Sequence, residues 1–371
     1  MLRTVLPALL AVLFAFASVA PATAAPQAAV VALGDSAASG EGAGDYAPGT
    51  RGEGGDWCHR SPRAYIHATR LAPVAIDLAC SGADTADITS TRQYGEAAQA
   101  TQLADVARRY RVKTVVLQVG ANDDAALVAT GVTCIRAFID VLTPPCRQTV
   151  GPLVPQRMAA TAAKVEKAVG AVRAVMRDAG YADKTWRLVL ASYAAPVTER
   201  MIPLNAVQGC PYSSADAQWG RTVLFPALSD ALRGVAARTG AAFLDLLRAT
   251  EGREACTHED AAQDWQRRVT VDPRALVYGG LDAVGYHLAQ ESFHPTAAAH
   301  AAIGGCLAAF VRSGEATGAC LPGPGAGLTL RSSRGPSRAA SPSCHYRPRP
   351  APPDGRRSGR RPGLPPARGS V

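Results

Sequence analysis

After its first 25 residues, the 371-residue sequence contains no apolar run long enough to cross a membrane, which excludes a polytopic membrane protein. The spacings typical of zinc sites are also missing, because there is no C-x-x-C pair, no H-E-x-x-H and no cluster of His and Cys. No internal repeat is found. The chain is 47% apolar and 19% charged, which is enough apolar material for a sizeable core and too much for a wholly disordered protein.

The body of the chain lacks an excess of charge of either sign. The formal net charge is +9, but residues 321–371 contain ten arginines against a single acid, Asp354, and account for the whole excess. The first 320 residues are therefore neutral. Such a body offers no broad electrostatic surface for a phosphate backbone, and we expect no nucleic-acid partner.

The N-terminus has the three parts of a secretory signal. Arg3 gives a positive start, residues 5–20 form a short apolar stretch, and small residues follow at 22–24. We predict a signal peptide over residues 1–25, with cleavage after Ala24 or Ala25. The protein is then expected to be secreted and extracellular, without stable insertion in a membrane.

Residues 321–371 are rich in Pro, Gly, Ser and Arg and have no periodic apolar positions. Such a segment cannot offset its ordering entropy by burial, so we predict that this basic tail is disordered. A linker or extension is the favoured interpretation. The alternative is a secreted adhesion or binding protein whose arginines hold anionic cell wall, lipid or nucleic acid.

The body alternates short β-type runs with helical patterns, which is typical of a parallel sheet with crossover helices. We predict one domain over residues 26–320 built on a five-stranded doubly wound sheet. The predicted strands are Ala29–Leu33, Val74–Leu78, Thr114–Val119, Arg187–Ala191 and Ala242–Leu246.

Eight of the nine cysteines lie in the body, so four disulfides are arithmetically available, and export would favour them. Pairing between neighbours would close short loops, although the sequence alone does not fix the connectivity. These neighbour pairs are Cys58–Cys80, Cys134–Cys146, Cys210–Cys256 and Cys306–Cys320. The ninth cysteine, Cys344, lies in the tail.

The first predicted strand runs directly into Gly34-Asp35-Ser36. A strand that ends in a glycine-containing turn exposes the next side chain at the carboxyl edge of the sheet, where Ser36 can meet a substrate. The triplet alone is a weak signal, because such turns are common in loops, and the lipase elbow G-x-S-x-G is absent.

Two further polar turns follow the second and third strands, at the same expected edge. Gly82 lies in Cys80-Ser81-Gly82-Ala83, and Asn122 lies in Gly120-Ala121-Asn122-Asp123. With the N–H of Ser36, the Gly82 N–H and the Asn122 amide would supply three donors for an oxyanion. Taken singly, Gly82 is as well explained by a turn and Asn122 by a helix cap.

A histidine suited to general-base chemistry lies near the end of the body, in Glu291-Ser292-Phe293-His294-Pro295. Pro295 fits the first turn of the following helix and keeps His294 in the preceding loop. Imidazole can take a proton from Ser36 at neutral pH and return it to a leaving group. His287 is the only rival position.

These four segments, in this order, resemble the blocks of the SGNH (GDSL-type) hydrolases, and most closely secreted bacterial esterases and lipases with several disulfides. The resemblance covers about residues 28–312. It implies a flavodoxin-like three-layer α/β/α sandwich, Ser36 as nucleophile, His294 as general base and an oxyanion hole of Ser36, Gly82 and Asn122. It implies no metal and no cofactor.

One position departs from the family pattern, which usually has Asp three residues before the histidine, where this chain has Glu291. The Glu291 carboxylate could orient His294. A backbone carbonyl of Glu291 or Ser292 could instead accept the imidazole N–H and leave a Ser–His dyad. The sequence does not choose between them.

The function expected from these residues is that of a secreted serine esterase or lipase that hydrolyses carboxylic esters through an acyl-enzyme. A carbohydrate acetyl esterase or a phospholipase on the same machinery is the alternative. We expect a monomer acting on a small-molecule or lipid ester. Apolar pocket walls are predicted from residues 193–196, residues 201–204 and Trp219.

Overall fold

The computed structural model describes residues 25–271 and 287–332. The predicted signal peptide up to residue 24 lies outside the described residues, as does the tail from residue 333 on. In the described part of the chain, no helix combines the length and the apolar character that crossing a membrane would require.

A single seven-stranded sheet forms the centre of the protein, in the order β2-β1-β3-β4-β5-β6-β7. Strands β1 to β6 are parallel, and β7 pairs antiparallel with β6. The strands are β1 (Ala28–Gly34), β2 (Val74–Asp77), β3 (Arg111–Gln118), β4 (Arg187–Ala191), β5 (Ala242–Asp245), β6 (Thr317–Pro322) and β7 (Leu328–Ser332).

Helices follow the strands and cover both faces of the sheet. They are α1 (Ser36–Ser39), α2 (Tyr65–Ala68), α3 (Thr85–Thr89), α4 (Gln99–Arg109), α5 (Leu127–Ile139), α6 (Cys146–Val150), α7 (Val154–Asp178), α8 (Ser214–Trp219), α9 (Phe225–Thr239) and α10 (Ala297–Ser313). A π-helical turn, Gly220–Leu224, joins α8 to α9. Short 3-10 turns lie at Glu53–Gly55, Gly151–Leu153, Ala261–Gln263 and His287–Ala289.

The alternation of side chains along each strand produces two apolar cores. Val31 and Leu33 of β1 pack into the core shared with α4, α7 and α9. Val30 and Ala32, on the opposite face of the same strand, pack into the core shared with α2 and α10. The predicted three-layer α/β/α arrangement is confirmed, and the order of the first five strands is flavodoxin-like.

The sheet is larger than the five strands predicted, and the domain continues past the predicted boundary at residue 320. Strand β6 runs to Pro322, and β7 lies inside the segment predicted to be a disordered tail. Leu328 and Leu330 of β7 pack against the core shared with α2 and α10. The pattern prediction was wrong here because β7 has only two apolar side chains, and its strand form depends on the edge that β6 offers.

Four disulfides are present, and they join the neighbouring cysteines considered above: Cys58–Cys80, Cys134–Cys146, Cys210–Cys256 and Cys306–Cys320. They span 12 to 46 residues of sequence. The Cys58–Cys80 bridge holds the loop after β2, and the Cys306–Cys320 bridge joins α10 to β6.

Candidate active site

The sheet places Ser36 at the carboxyl end of β1, between the turns that follow β2 and β3. Gly34 ends the strand with a φ of +148°, and a Cβ at this position would lie 2.0 Å from the Gln118 carbonyl oxygen. Only glycine therefore allows this close approach to β3. Asp35 caps α1 by accepting the Ala37 N–H at 3.0 Å, which starts the helix at Ser36.

The ring of His294 contacts the hydroxyl of Ser36, although 258 residues separate them in the sequence. The Nε2 of His294 lies 2.7 Å from the Oγ of Ser36. The loop that carries the histidine is fixed on its C-terminal side, because Thr296 caps α10 by accepting the Ala299 N–H at 3.5 Å. The 2.7 Å distance between the Ser36 Oγ and the His294 Nε2 is suited to proton transfer from the hydroxyl to the ring.

The other nitrogen of the same ring faces a backbone carbonyl. The Nδ1 of His294 lies 3.0 Å from the Ser292 carbonyl oxygen. The carboxylate of Glu291 is engaged elsewhere, because its Oε1 lies 2.7 Å from the Tyr46 hydroxyl. Of the two orienting groups left open by the sequence, the geometry favours the carbonyl of Ser292.

Gly82 and Asn122 lie with Ser36 around one cavity of about 280 Å³, which His294 also lines. Gly82 has a φ of +81°, which suits a glycine turn. The Asn122 Nδ2 donates to the Ala83 carbonyl at 2.9 Å, and this bond fixes the orientation of the amide. An amide nitrogen has two hydrogens, so one remains for a ligand.

A buried carboxyl braces the turn that carries Ser36. Asp35 is fully buried, and the Tyr193 hydroxyl donates to its Oδ2. The same hydroxyl accepts the Ala121 N–H at 3.3 Å, so one side chain of the loop after β4 ties together the turns after β1 and β3. Burial raises the pKa of Asp35 to about 7, against the lowering effect of the Tyr193 hydrogen bond.

A second buried cluster lies behind the histidine loop and was not recognised from the sequence. Glu41 and His59 are both fully buried, and the Glu41 Oε1 lies 2.9 Å from the His59 Nδ1. The other Glu41 oxygen accepts from Gln290 Nε2 at 2.9 Å. The Tyr46 hydroxyl lies 3.1 Å from Glu41 and joins this carboxylate to Glu291. Because these polar groups are dispersed over 250 residues of sequence, no local pattern marks them.

Charge and burial act in opposite directions on the pKa of His294. Burial lowers the pKa of His294 below its ordinary value, and the negative charge of Glu41 is the largest contribution that raises it. Burial would raise the pKa of Glu41 itself, but the hydrogen bond and charge of His59 outweigh it and lower that pKa. Burial is the largest of the effects on His294, so the net shift of its pKa favours the neutral imidazole.

The wall of the cavity is mainly apolar. Tyr193, Ala194, Pro196 and Trp219 line it, in agreement with the prediction. The predicted wall at residues 201–204 was wrong: Met201 and Ile202 pack beside the Cys210–Cys256 disulfide, and Leu204 is exposed. At this point the loop packs on the separate small apolar cluster that contains the Cys210–Cys256 disulfide. Helix α5 forms a wall that the sequence did not predict, through Leu127, Val128, Gly131, Val132 and Ile135.

One group of possible metal ligands occurs among the described residues, at Asp56, Cys58 and Glu96. The sulfur of Cys58 is bound in a disulfide, and Arg60 donates to Glu96 at 2.7 and 2.6 Å. These atoms are already committed to other partners. The group therefore does not offer a ligand set for a metal ion.

Comparison with known proteins gives the family of the chain and relatives of the same fold. The family described as GDSL-like Lipase/Acylhydrolase matches residues 32–302. Lipase 2 of Streptomyces coelicolor is 29% identical over 249 residues, which cover 65% of this chain and 77% of that protein. The crystal structure of phospholipase A1 from Streptomyces albidoflavus NA297 has 23% identity and a TM-score of 0.50, covering 78% of this chain and 99% of its own.

An extracellular lipase of Streptomyces rimosus, with 21% identity and a TM-score of 0.44, matches over 72% of this chain and 93% of its own. The likeness to the phospholipase A1 structure shows that the fold is shared. The chain belongs to the GDSL-like lipase/acylhydrolase family. The resemblance seen in the sequence is confirmed, and the protein is an ester hydrolase.

Proposed function

We propose that the protein hydrolyses carboxylic esters through a covalent acyl-enzyme on Ser36. The observation that carries the proposal is the 2.7 Å contact between the Ser36 Oγ and the His294 Nε2, with the opposite ring nitrogen on the Ser292 carbonyl. The carbonyl accepts the Nδ1 hydrogen, which leaves the Nε2 lone pair facing the hydroxyl. This tautomer is the one a general base needs.

In the first half of the reaction, His294 takes the Ser36 proton as the serine oxygen bonds to the ester carbonyl carbon. The imidazolium then gives this proton to the departing alcohol as the C–O bond breaks. In the second half, His294 takes a proton from water, whose oxygen attacks the acyl carbon. Collapse releases the carboxylic acid and returns the proton to Ser36.

Three donors face the developing oxyanion in this proposal: the backbone N–H groups of Ser36 and Gly82 and the remaining N–H of the Asn122 amide. Neither backbone N–H has an acceptor in the part of the chain that the structure describes. Donors held in place by turns need little reorganisation as charge develops, which is the source of their catalytic effect.

The expected substrates are esters with an apolar acyl chain. The cavity beside Ser36 is walled by aliphatic and aromatic side chains from α5, the loop after β4 and the π-helical turn. The likeness to Lipase 2 of Streptomyces coelicolor supports esters with an apolar acyl chain as substrates. Rates on p-nitrophenyl esters of increasing chain length would measure it, and a sharp preference for acetate would contradict an acyl site of this size.

Secretion is part of the proposal. It rests on the predicted signal peptide and on four disulfides, which persist in oxidising compartments outside the cytosol. Expression of the full chain with its own N-terminus, followed by N-terminal sequencing of the protein found in the medium, tests both export and the cleavage point.

The test of the mechanism is labelling with a fluorophosphonate probe, followed by peptide mapping. The probe is expected to modify Ser36, and Ser36→Ala should abolish both labelling and ester turnover while circular dichroism stays unchanged. Ser90→Ala is the matched control, because Ser90 is exposed at the end of α3. Retained turnover in the Ser36→Ala protein would refute the assignment.

A further inference from the structure

Helix α5 and the turn after it expose an unusual amount of apolar surface. Residues 127–145 hold six of the eleven large apolar side chains that are exposed among the described residues. Ile139 is 71% exposed, Val141 89% and Leu142 90%. Scattered exposed aliphatic residues are ordinary, but a contiguous group marks an interaction surface.

These outer side chains are not needed to hold the helix in place. The Cys134–Cys146 disulfide joins α5 to α6, and Arg157 lies within hydrogen-bond distance of the buried Thr130 at 3.4 Å. The beginning of α6 is fixed in turn, because Arg147 donates to Asp216 from its backbone and its side chain. The apolar face turned to solvent therefore calls for an explanation outside the packing of the domain.

The exposed surface is continuous with the wall of the catalytic cavity. Val128 and Val132 line the cavity and are also 47% and 61% exposed to solvent. Ile139 lies on the same side of the helix, because offsets of four and eleven residues return to one face. One apolar strip therefore runs from the cavity of Ser36 to the outside of the protein.

The strip is electrically neutral. Between Leu127 and Pro145, the charged side chains are Arg136 and Asp140, one of each sign. Such a surface has no attraction for an anionic partner through its own charge, whereas it matches a neutral or zwitterionic layer of lipid.

We propose that α5 and the following turn, residues 127–145, dock the enzyme on the surface of aggregated neutral or zwitterionic lipid, with the cavity mouth facing the lipid. The inference deepens the proposed function and rests on it for the substrate. A second copy of the chain or another protein on Val128 and Val132 would cover the cavity wall, whereas a lipid surface brings ester groups to it. The docked strip would bury Ile139, Val141 and Leu142 among acyl chains.

Co-sedimentation with phosphatidylcholine vesicles tests the docking without catalysis, using the full-length Ser36→Ala protein. Salt of about 0.5 M screens any attraction from the arginine-rich segment after residue 333. The Ser36→Ala protein is expected to partition onto the vesicles. Adding Ile139→Asp or Leu142→Asp is expected to lower the partition coefficient at least about tenfold, since each removes a buried aliphatic side chain.

Ala237→Asp is the matched control for the added charge. Ala237 is exposed near the end of α9, and this helix runs from the carboxyl edge of the sheet back to the opposite edge before β5. The partition coefficient of the Ser36→Ala protein with Ala237→Asp added should stay within about twofold of that of the Ser36→Ala protein. The proposal would be overturned if the Ser36→Ala protein did not bind the vesicles, or if adding Ile139→Asp left its partition coefficient unchanged.

Two further measurements separate the possible failures. In enzyme that keeps Ser36, Ile139→Asp should leave hydrolysis of dissolved p-nitrophenyl butyrate within about twofold of the parent, because Ile139 does not line the cavity. If the parent does not hydrolyse this ester, the proposed function fails independently of the vesicle result. A dimer in sedimentation velocity that Ile139→Asp dissociates would make a second copy the occupant and also overturn lipid docking.

Discussion

At the scale of single residues, the proposed catalytic base, His294, differs from that of a Ser-His-Asp triad in the group that faces its second ring nitrogen. The neutral carbonyl of Ser292 lies 3.0 Å from the His294 Nδ1, and the negative charge that raises the pKa of His294 most is that of Glu41, whose carboxylate is paired with His59. In the proposed mechanism, orientation of the ring and stabilisation of its charge are thus divided between two groups. This division gives two predictions.

The first concerns Glu291, the acidic residue at the family's usual triad position. Because its carboxylate is bonded to Tyr46, Glu291→Gln is expected to lower kcat less than about tenfold. Steady-state kinetics on a soluble ester would measure this. A loss on the order of 10⁴ would mean that the carboxylate itself orients His294, since that is the size of the loss when a triad acid is neutralised.

The second concerns pH. His294 must be neutral to accept the Ser36 proton, and burial lowers its pKa, so kcat/KM should rise with pH through a midpoint below 6.5, the ordinary histidine value. Glu41 raises this pKa, so Glu41→Gln should move the midpoint to still lower pH. Glu259→Gln, an exposed carboxylate, is the control and should leave the profile unchanged. A midpoint that rises in the Glu41→Gln enzyme would contradict the assignment.

At the scale of elements, the distance between Ser36 and His294 depends on how closely the segment after α1 packs on the histidine loop. Gly42 has a φ of +80°, and a Cβ there would lie 2.9 Å from the His294 Cβ and 2.8 Å from the Pro295 carbonyl oxygen. Arg267 also links the two segments by donating to the Gly42 carbonyl at 2.7 Å. Neither the His294 Cβ nor the Pro295 carbonyl oxygen is the flexible end of a side chain, so neither can easily move away from an added Cβ.

Gly42→Ala is therefore expected to displace His294 and lower kcat by about 100-fold, the size of effect that a shift of about 1 Å can cause. Gly49→Ala is the matched control, since Gly49 has a φ of +88° and nothing within 4 Å of the added Cβ. It should cost about 1 to 2 kcal/mol of stability for the left-handed backbone and leave kcat unchanged. Equal kcat values in the two variants would show that the packing at Gly42 does not set the catalytic distance.

At the scale of the whole molecule, the folded domain extends to β7, and this extension can be tested by truncation. A chain ending at residue 333 keeps the five residue pairs between β6 and β7, whereas one ending at residue 320 loses them together with the packing of Leu328 and Leu330. The shorter chain is expected to unfold with a free energy lower by about 2 to 4 kcal/mol. Urea denaturation of both chains measures this, and equal midpoints would place the domain end at 320.

Much of the architecture was predictable because its signals are local. The five apolar runs from Ala29 to Leu246 reappear as β1 to β5, since β-branched residues bounded by turns have few other ways to bury themselves. Four short motifs in a fixed order were enough to recognise the family. Strand β7 and the α5 wall had no such signal, because an isolated pair of leucines or an apolar helix fits many places in a fold.

The sequence by itself determined the alternating sheet and the types and order of the proposed catalytic residues, because each depends on neighbours within a few positions. Only the tertiary structure decided which oxygen lies beside the His294 Nδ1, that Glu41 and His59 pair behind the histidine loop, and that one apolar strip of α5 both lines the cavity and faces solvent. Those relations join atoms that are far apart along the chain. Their energies depend on distances that exist only after the strands have paired.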